Sequence, residues 1–394
     1  MFVLLDHSKF KPYLIMNIKH LLLFLPFLFS SCTVSKKVTN ANPIELVLKS
    51  QNPKIKVVMD NAREHELQII YTQINRDKDG RISFQDYQYN VDSKNYFYPA
   101  STVKLPIALL AVEKLNSMNL TSDSIHFGFD KKGSSLHFQK EISKLFALSD
   151  NDASNNLLEF IGFDYLNSKM KNKGLMPFSV NHRLSTKNSN DKRTSKIYLY
   201  KNDNLIAELP SVKGKNVKTL HLNSIKKGIG YIENDSIVKG AFDFSNKNYY
   251  PLETLHSTLK RLLFPQEFKM KERFNLNEHD RQFILSSMYQ LPREQGFDTK
   301  EFYDSYCKFF IFGDTTDTIN TFIKIYNKIG QAYGTLTDCA YIIDQKNGVE
   351  FMVTATLLVN KNKIFNDGIY EYDEIGIPFL AELGRQLYTI SNSK

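Results

Sequence analysis

The feature that most constrains this chain is the apolar run Ala108-Leu109-Leu110-Ala111-Val112 set directly behind Tyr98-Pro99-Ala100-Ser101-Thr102-Val103-Lys104-Leu105-Pro106-Ile107. So apolar a run reads as a buried helix, with Ser101 at its mouth and Lys104 one turn further in. Residues three apart on a helix share a face, so the Ser101 hydroxyl and the Lys104 amine can meet. A serine hydroxyl is a poor nucleophile until a base takes its proton. A lysine serves when burial disfavours its charged form. The helix N-terminus adds free N–H groups suited to an oxyanion. Pro106 lies about one turn inside and deletes a backbone hydrogen bond, which predicts an irregular first turn. Alone, S-x-x-K also describes a capping serine followed by a solvated lysine, so the pattern needs companions.

Two follow in the chain. Ser149-Asp150-Asn151 precedes a helix that starts near Asp152 and buries Leu157, Leu158 and Ile161; a helix N-terminus uses such residues anyway. Far downstream, a strand ending in Lys328-Ile329-Gly330-Gln331 turns at Tyr333-Gly334 into a second strand. A third strand spans 351–359, and an amphipathic helix from about Asp373 to Ile390 closes the chain.

With these elements in place, the chain resembles the class A β-lactamase and penicillin-binding-protein superfamily of serine hydrolases. The group's S-x-x-K, S-D-N and K-T-G boxes stand here in order as Ser101-Thr102-Val103-Lys104, Ser149-Asp150-Asn151 and Lys328-Ile329-Gly330. Pro251 to Leu263 and Asn277 to Leu291, with Arg281-Gln282, look like the two helices before the K-T-G strand. The resemblance covers most of residues 43–394. It implies an α+β fold: a mainly five-stranded antiparallel sheet flanked by helices, plus a helical subdomain with the site between.

The resemblance also implies roles. Ser101 attacks a carbonyl and forms an acyl-enzyme, with Lys104 as proton partner, and Ser149 relays a proton to the leaving nitrogen. Asn151, Lys328, Gly330 and Gln331 bind substrate, the oxyanion resting between the N–H groups of Ser101 and Gln331. No cofactor is implied. The substrate expected is a β-lactam or a related amide or ester. The alternatives are a peptidoglycan DD-peptidase or esterase of the same fold, and a non-catalytic lipoprotein that binds cell-wall fragments.

Two departures bear on the reaction. In Phe178-Ser179-Val180-Asn181-His182-Arg183-Leu184-Ser185-Thr186, Arg183 fits the arginine of the family's loop, but Ser185 stands about where class A enzymes carry the glutamate that activates the deacylating water. Ile329 replaces the threonine whose hydroxyl meets the substrate carboxylate. Residues 187–247 are extra sequence, expected to add a hairpin at the cleft rim from the strand-like pieces 197–200 and 219–222.

At the other end, residues 1–15 look like an upstream extension. Met16-Asn17-Ile18-Lys19-His20 then leads into the apolar run Leu21 to Phe29, sized for a signal-peptide core rather than a bilayer span. Ser30-Ser31-Cys32 resembles a bacterial lipobox, which implies export and a membrane anchor through lipid on Cys32; the alternative is a plain cleaved signal peptide. Residues 1–31 are thus extension and signal, 32–42 a polar tether, and 43–394 the hydrolase domain.

The remaining signals are mostly exclusions. The formal charge is +9, yet acids and bases are interspersed, so no nucleic-acid footprint is expected. Three cysteines without C-x-x-C or H-E-x-x-H spacing exclude a disulfide framework and make a zinc site unexpected. Asn75 to Asp86 matches an EF-hand loop at several positions. Its flanks are strand-like and it ends in Asp, so an Asp-Gly hairpin is the better reading.

Overall fold

The computed structural model describes residues 42–131, 135–320 and 322–393. The proposed signal sequence and Cys32 lie outside the described residues. The chain opens with two short helices, α1 (Pro43–Leu48) and α2 (Pro53–Met59). Each starts with proline in the first turn and is capped by an asparagine, Asn42 or Asn52. The hairpin β1 (Gln68–Arg76) and β2 (Ile82–Tyr89) follows. Its turn is held by Asp77, whose Oδ1 accepts from the N–H groups of Asp79 and Arg81 at 2.9 Å each. Asx-turn chemistry therefore explains the acidic loop that resembles an EF-hand.

The next elements build the helical part. A 3₁₀ turn at Ala100–Val103 leads into α3 (Lys104–Ser117), then come strands β3 (Ile125–Gly128) and β4 (Leu136–His137). Helices α4 (Phe138–Ala147), α5 (Asn151–Ile161) and α6 (Phe163–Asn172) complete it. The irregular turn expected from Pro106 is that 3₁₀ turn. Pro106 is the third residue of α3, where its missing N–H belongs to the first turn and breaks no ladder bond. Leu105, Ile107 to Val112 and Leu115 are all buried, so α3 is apolar on every side and runs through the core.

The extra stretch contributes β5 (Ile197–Lys201), β6 (Asn204–Leu209), β7 (Lys226–Lys227), β8 (Gly230–Glu233), β9 (Ser236–Lys239) and β10 (Phe242–Asp243). It is more than one rim hairpin. β5 and β6 pair, but β5 also pairs with β3 in a sheet of order β4-β3-β5-β6. Ile197 and Leu199 alternate inward and join the core beside Phe127. The expected strand at 219–222 does not form: Leu220 donates one backbone bond to Ser245 at 2.9 Å, and Asn223 makes only a bridge to Asn95.

Helices α7 (Leu252–Leu263) and α8 (Glu278–Tyr289) precede strands β11 (Lys324–Ala332), β12 (Thr335–Asp344) and β13 (Val349–Leu358). A short β14 (Ile364–Phe365) pairs with β8, and α9 (Ile377–Asn392) ends the chain. The main sheet is antiparallel with order β11-β12-β13-β1-β2. Successive residues of β12 face opposite layers. Ala340 and Ile342 pack with Phe379, Leu380 and Leu383 of α9, while Cys339 and Tyr341 pack with Leu255 and Leu259 of α7. Both faces are covered, which is why β12 reads as a continuous apolar run broken by few polar residues. Among the described residues no helix is long and apolar enough to cross a membrane.

Candidate active site

Three segments far apart in the chain meet at the seam between sheet and helical part. The first is the 3₁₀ turn. Ala100 takes a positive φ of 46°, and Thr102 ties the turn down by donating from Oγ1 to the Pro99 carbonyl at 2.7 Å. Ser101 sits between them, half-buried. The first turn of α3 then places Lys104 inward, where it is fully buried.

The second segment shows how a helix cap and a site share three residues. Asp150 is the cap of α5, its Oδ1 accepting from the Ala153 N–H at 2.7 Å. Ser149 and Asn151 on either side are thereby turned toward Lys104. Ser149 adopts φ 53°, which brings its carbonyl and its hydroxyl both within reach of the lysine. Lys104 Nζ donates to Asn151 Oδ1 at 2.7 Å, to Ser149 Oγ at 3.4 Å, and to the Ser149 carbonyl.

The third segment is β11. Lys328 is 1% exposed, and its Nζ donates to Ser149 Oγ at 2.8 Å and to the Ile329 carbonyl at 3.0 Å. The Ser149 hydroxyl thus lies between two amines. Gly330 lets β11 pass against the nucleophile turn: a Cβ there would stand 2.7 Å from the Pro99 carbonyl oxygen and 3.2 Å from the Thr102 nitrogen. Gln331 follows, exposed, on the wall of the same cleft as Ser101.

Electrostatics separates the two lysines. Burial, with the Lys328 charge second, pushes Lys104 well below its ordinary value. Burial lowers Lys328 to about 8, opposed by Cys307 and Asp338. Two amines around one hydroxyl cannot both hold a full charge cheaply. Lys104 is the one driven toward the neutral, proton-accepting form.

Beneath Lys328 lies a network that the motifs do not announce. Lys308 Nζ donates to Asn327 Oδ1 at 2.8 Å and to the Met288 carbonyl at 2.6 Å. Asn327 Nδ2 donates to Asp338 at 2.9 Å and to the Cys307 carbonyl at 2.8 Å. Burial raises the Asp338 carboxyl to about 6, and burial lowers Lys308 to about 8. The signal for it was a pair of polar residues, Asn327 and Asp338, at buried positions of neighbouring strands.

The cleft has two arms that meet at Ser101, Asn151 and Gln331. One, of about 470 Å³, runs past His182, Arg183, Ser185 and Lys247. Here Arg183 is locked to Glu159 at 2.5 Å, each about one-tenth exposed, and Arg183 Nη2 also donates to the Arg193 carbonyl at 2.8 Å. His182 was not anticipated. It stacks on Tyr98 with centroids 6.2 Å apart, its Nδ1 bonds the Arg183 carbonyl at 2.6 Å, and its buried Nε2 has no partner. Burial lowers it to about 4, so the imidazole is neutral. The other arm, of about 520 Å³, runs past Ser149, Ile329, Tyr303 and Tyr306.

Residues 52–204, which include Ser101, Lys104, Ser149 and Asn151, match the model of the β-lactamase enzyme family. No curated protein matches the chain. Among solved structures, the chain is similar to a class A β-lactamase representative from Bacteroides cellulosilyticus DSM 14838, at 12% identity over 90% of this chain and 100% of that one, with a TM-score of 0.52. A β-lactamase from Xanthomonas campestris pv. campestris str. ATCC 33913 shows 12% identity over 88% of this chain and 98% of that one, TM-score 0.50. A stretch carrying two of the three motifs thus matches the β-lactamase enzyme family in sequence, and the chain has the β-lactamase-like fold over about nine-tenths of its length.

Proposed function

We propose that the chain is an exported serine hydrolase that works through an acyl-enzyme on Ser101, and that Cys32 carries a lipid anchor. Lys104 Nζ accepts the Ser101 proton as Oγ bonds to the substrate carbonyl carbon. The carbonyl oxygen takes the negative charge between the N–H groups of Ser101 and Gln331. As the C–N or C–O bond breaks, the leaving atom takes a proton from Ser149 Oγ, which Lys328 replaces. Water then cleaves the ester and frees Ser101.

The observation that carries this reading is the placing of two buried amines on one hydroxyl, beside a half-buried serine in an open cleft. β-Lactams are the first substrates to try. Ser185 on the cleft wall offers no carboxylate, which favours slow release and keeps a peptidoglycan peptidase or esterase as the second reading. Fluorescent penicillin and a fluorophosphonate test it: both label the native protein and neither labels Ser101→Ala. Lys104→Ala loses labelling by about 10²-fold or more while staying folded. Rapid nitrocefin turnover identifies a lactamase, and stable labelling identifies an acylating enzyme with slow release. No labelling by either probe sinks the enzyme reading and leaves a binding protein.

A further inference from the structure

Beyond Ser149 the cleft changes character. If Ser149 hands its proton to the leaving atom, the leaving fragment occupies the arm lined by Tyr303, Tyr306, Ile329, Tyr372 and Asp373. Ile329 presents only carbon to it. Asp373 is the single charged side chain among the described residues lining that arm, and it makes no ion pair among the described residues. It is exposed to solvent at the outer end of the arm.

Its position is built. Asp373 belongs to a π-helical turn, Tyr372–Gly376, ahead of α9, and such turns recur at functional sites. The neighbouring Tyr372 hydroxyl accepts from the Gly334 N–H at 2.8 Å, which pins the turn to the β11–β12 hairpin. Tyr303 and Tyr306 meet edge to face, with centroids 5.7 Å apart. The Asp373 charge acts on the Tyr303 hydroxyl, raising its pKa further after burial has done so. Lys328 is not part of this wall: its amine is buried and committed to Ser149 and the Ile329 carbonyl. The arm therefore runs from Ser149, whose hydroxyl two buried amines flank, to an anionic, aromatic wall at Asp373, Tyr303 and Tyr306. A carboxylate there meets Asp373, whereas an ammonium meets a carboxylate and aromatic faces together.

We propose that this arm is a subsite for a leaving group bearing an ammonium, held by Asp373 and the rings of Tyr303 and Tyr306. The inference rests on the acyl-transfer reading above and names the substrate class within it. Three phenylacetyl thioesters test it, sharing an acyl group and differing in the thiol: thiocholine (cationic), mercaptoethanol (neutral) and thioglycolate (anionic). Released thiol is followed with a disulfide dye. In each turnover the Ser101 oxygen–carbon bond forms, the carbon–sulfur bond breaks and the sulfur leaves as thiol; water then releases phenylacetate.

The cationic ester is expected to exceed the neutral one in kcat/KM by about five- to tenfold, with the anionic ester slowest. Asp373→Asn brings the cationic-to-neutral ratio to within about twofold, and Asp373→Lys inverts the order. Fluorophosphonate labelling of Ser101 in the same preparations separates the two ideas. Labelling with equal rates for all three esters, or a ratio unmoved in Asp373→Asn, overturns the subsite and leaves the hydrolase standing. No labelling and no thiol from any ester overturns the hydrolase, and the subsite falls with it.

Discussion

Gly330→Ala probes the closest approach in the site. The added methyl would lie 2.7 Å from the Pro99 carbonyl oxygen, 3.0 Å from Thr102 Cγ2 and 3.2 Å from the Thr102 nitrogen. All three belong to the turn that carries Ser101, and two are backbone atoms, so turning the Thr102 side chain alone cannot relieve the clash. Relief requires β11 to move away from the turn by several tenths of an ångström or more. Overpacking of this kind costs about 1–3 kcal/mol. For a domain near this size that corresponds to a fall in Tm of roughly 1.5–4 °C. The kinetic loss should be larger than the thermal one. Gln331, next along β11, moves away from Ser101 with the strand, and a misplacement approaching 1 Å can cost on the order of 10²-fold. Fluorophosphonate labelling rates and thermal unfolding are measured on the same protein. Labelling at the native rate with an unchanged Tm would show that β11 need not touch the nucleophile turn, and the proposed oxyanion site would have to be abandoned.

Three further outcomes are expected. The acylation rate should rise with pH as Lys104 loses its proton and fall above about 8 as Lys328 becomes neutral; a rate that climbs without a descending limb to about pH 10 removes Lys328 from proton delivery. Glu159→Ala leaves Arg183 as an uncompensated cation at about one-tenth exposure and frees the Ser195 N–H that Glu159 accepts at 2.6 Å. The expected loss is about 3 kcal/mol, and a denaturant midpoint equal to the native one contradicts it. Ser185→Glu puts a carboxylate on the wall of the arm that reaches Ser101. It should shorten the half-life of the penicilloyl adduct by at least about tenfold, and an unchanged half-life shows that release is limited elsewhere.

Much of the fold was legible because its elements carry strong local chemistry. The Asp77-x-x-Gly80 turn, the apolar run of α3 and the Tyr333-Gly334 turn between two strands each obey short-range rules. The extra stretch was harder, because pairing partners are a long-range property. Ile197-Tyr198-Leu199-Tyr200 looks the same whether its inward residues face solvent-side neighbours or the core, and only the arrival of β3 decides. Thr219 to Leu222 has strand composition but no neighbouring edge to complete a ladder, so it stays extended and unpaired as a strand.

The site divides along the same line. Ser101, Lys104, Ser149, Asn151 and Lys328 could be found because each sits at a fixed short spacing within a motif, and the structure links the last four through hydrogen bonds. His182, Asp338 and Asp373 belong to no such spacing. Asp338 pairs with Ile329 across the sheet, so its relation to Lys328 is a register fact. Asp373 lines the cleft from the π-turn that precedes α9. In the proposed mechanism the motifs bear on bond making at the carbonyl. Charge at the far end of the leaving-group arm is free to differ, because it is set by loops and helix ends that the motifs do not include. In the proposed subsite, Ile329 and Asp373 make that end one that disfavours an anion. On this reading the acyl-transfer residues stay as the motifs have them, while the leaving group that the cleft accepts has changed.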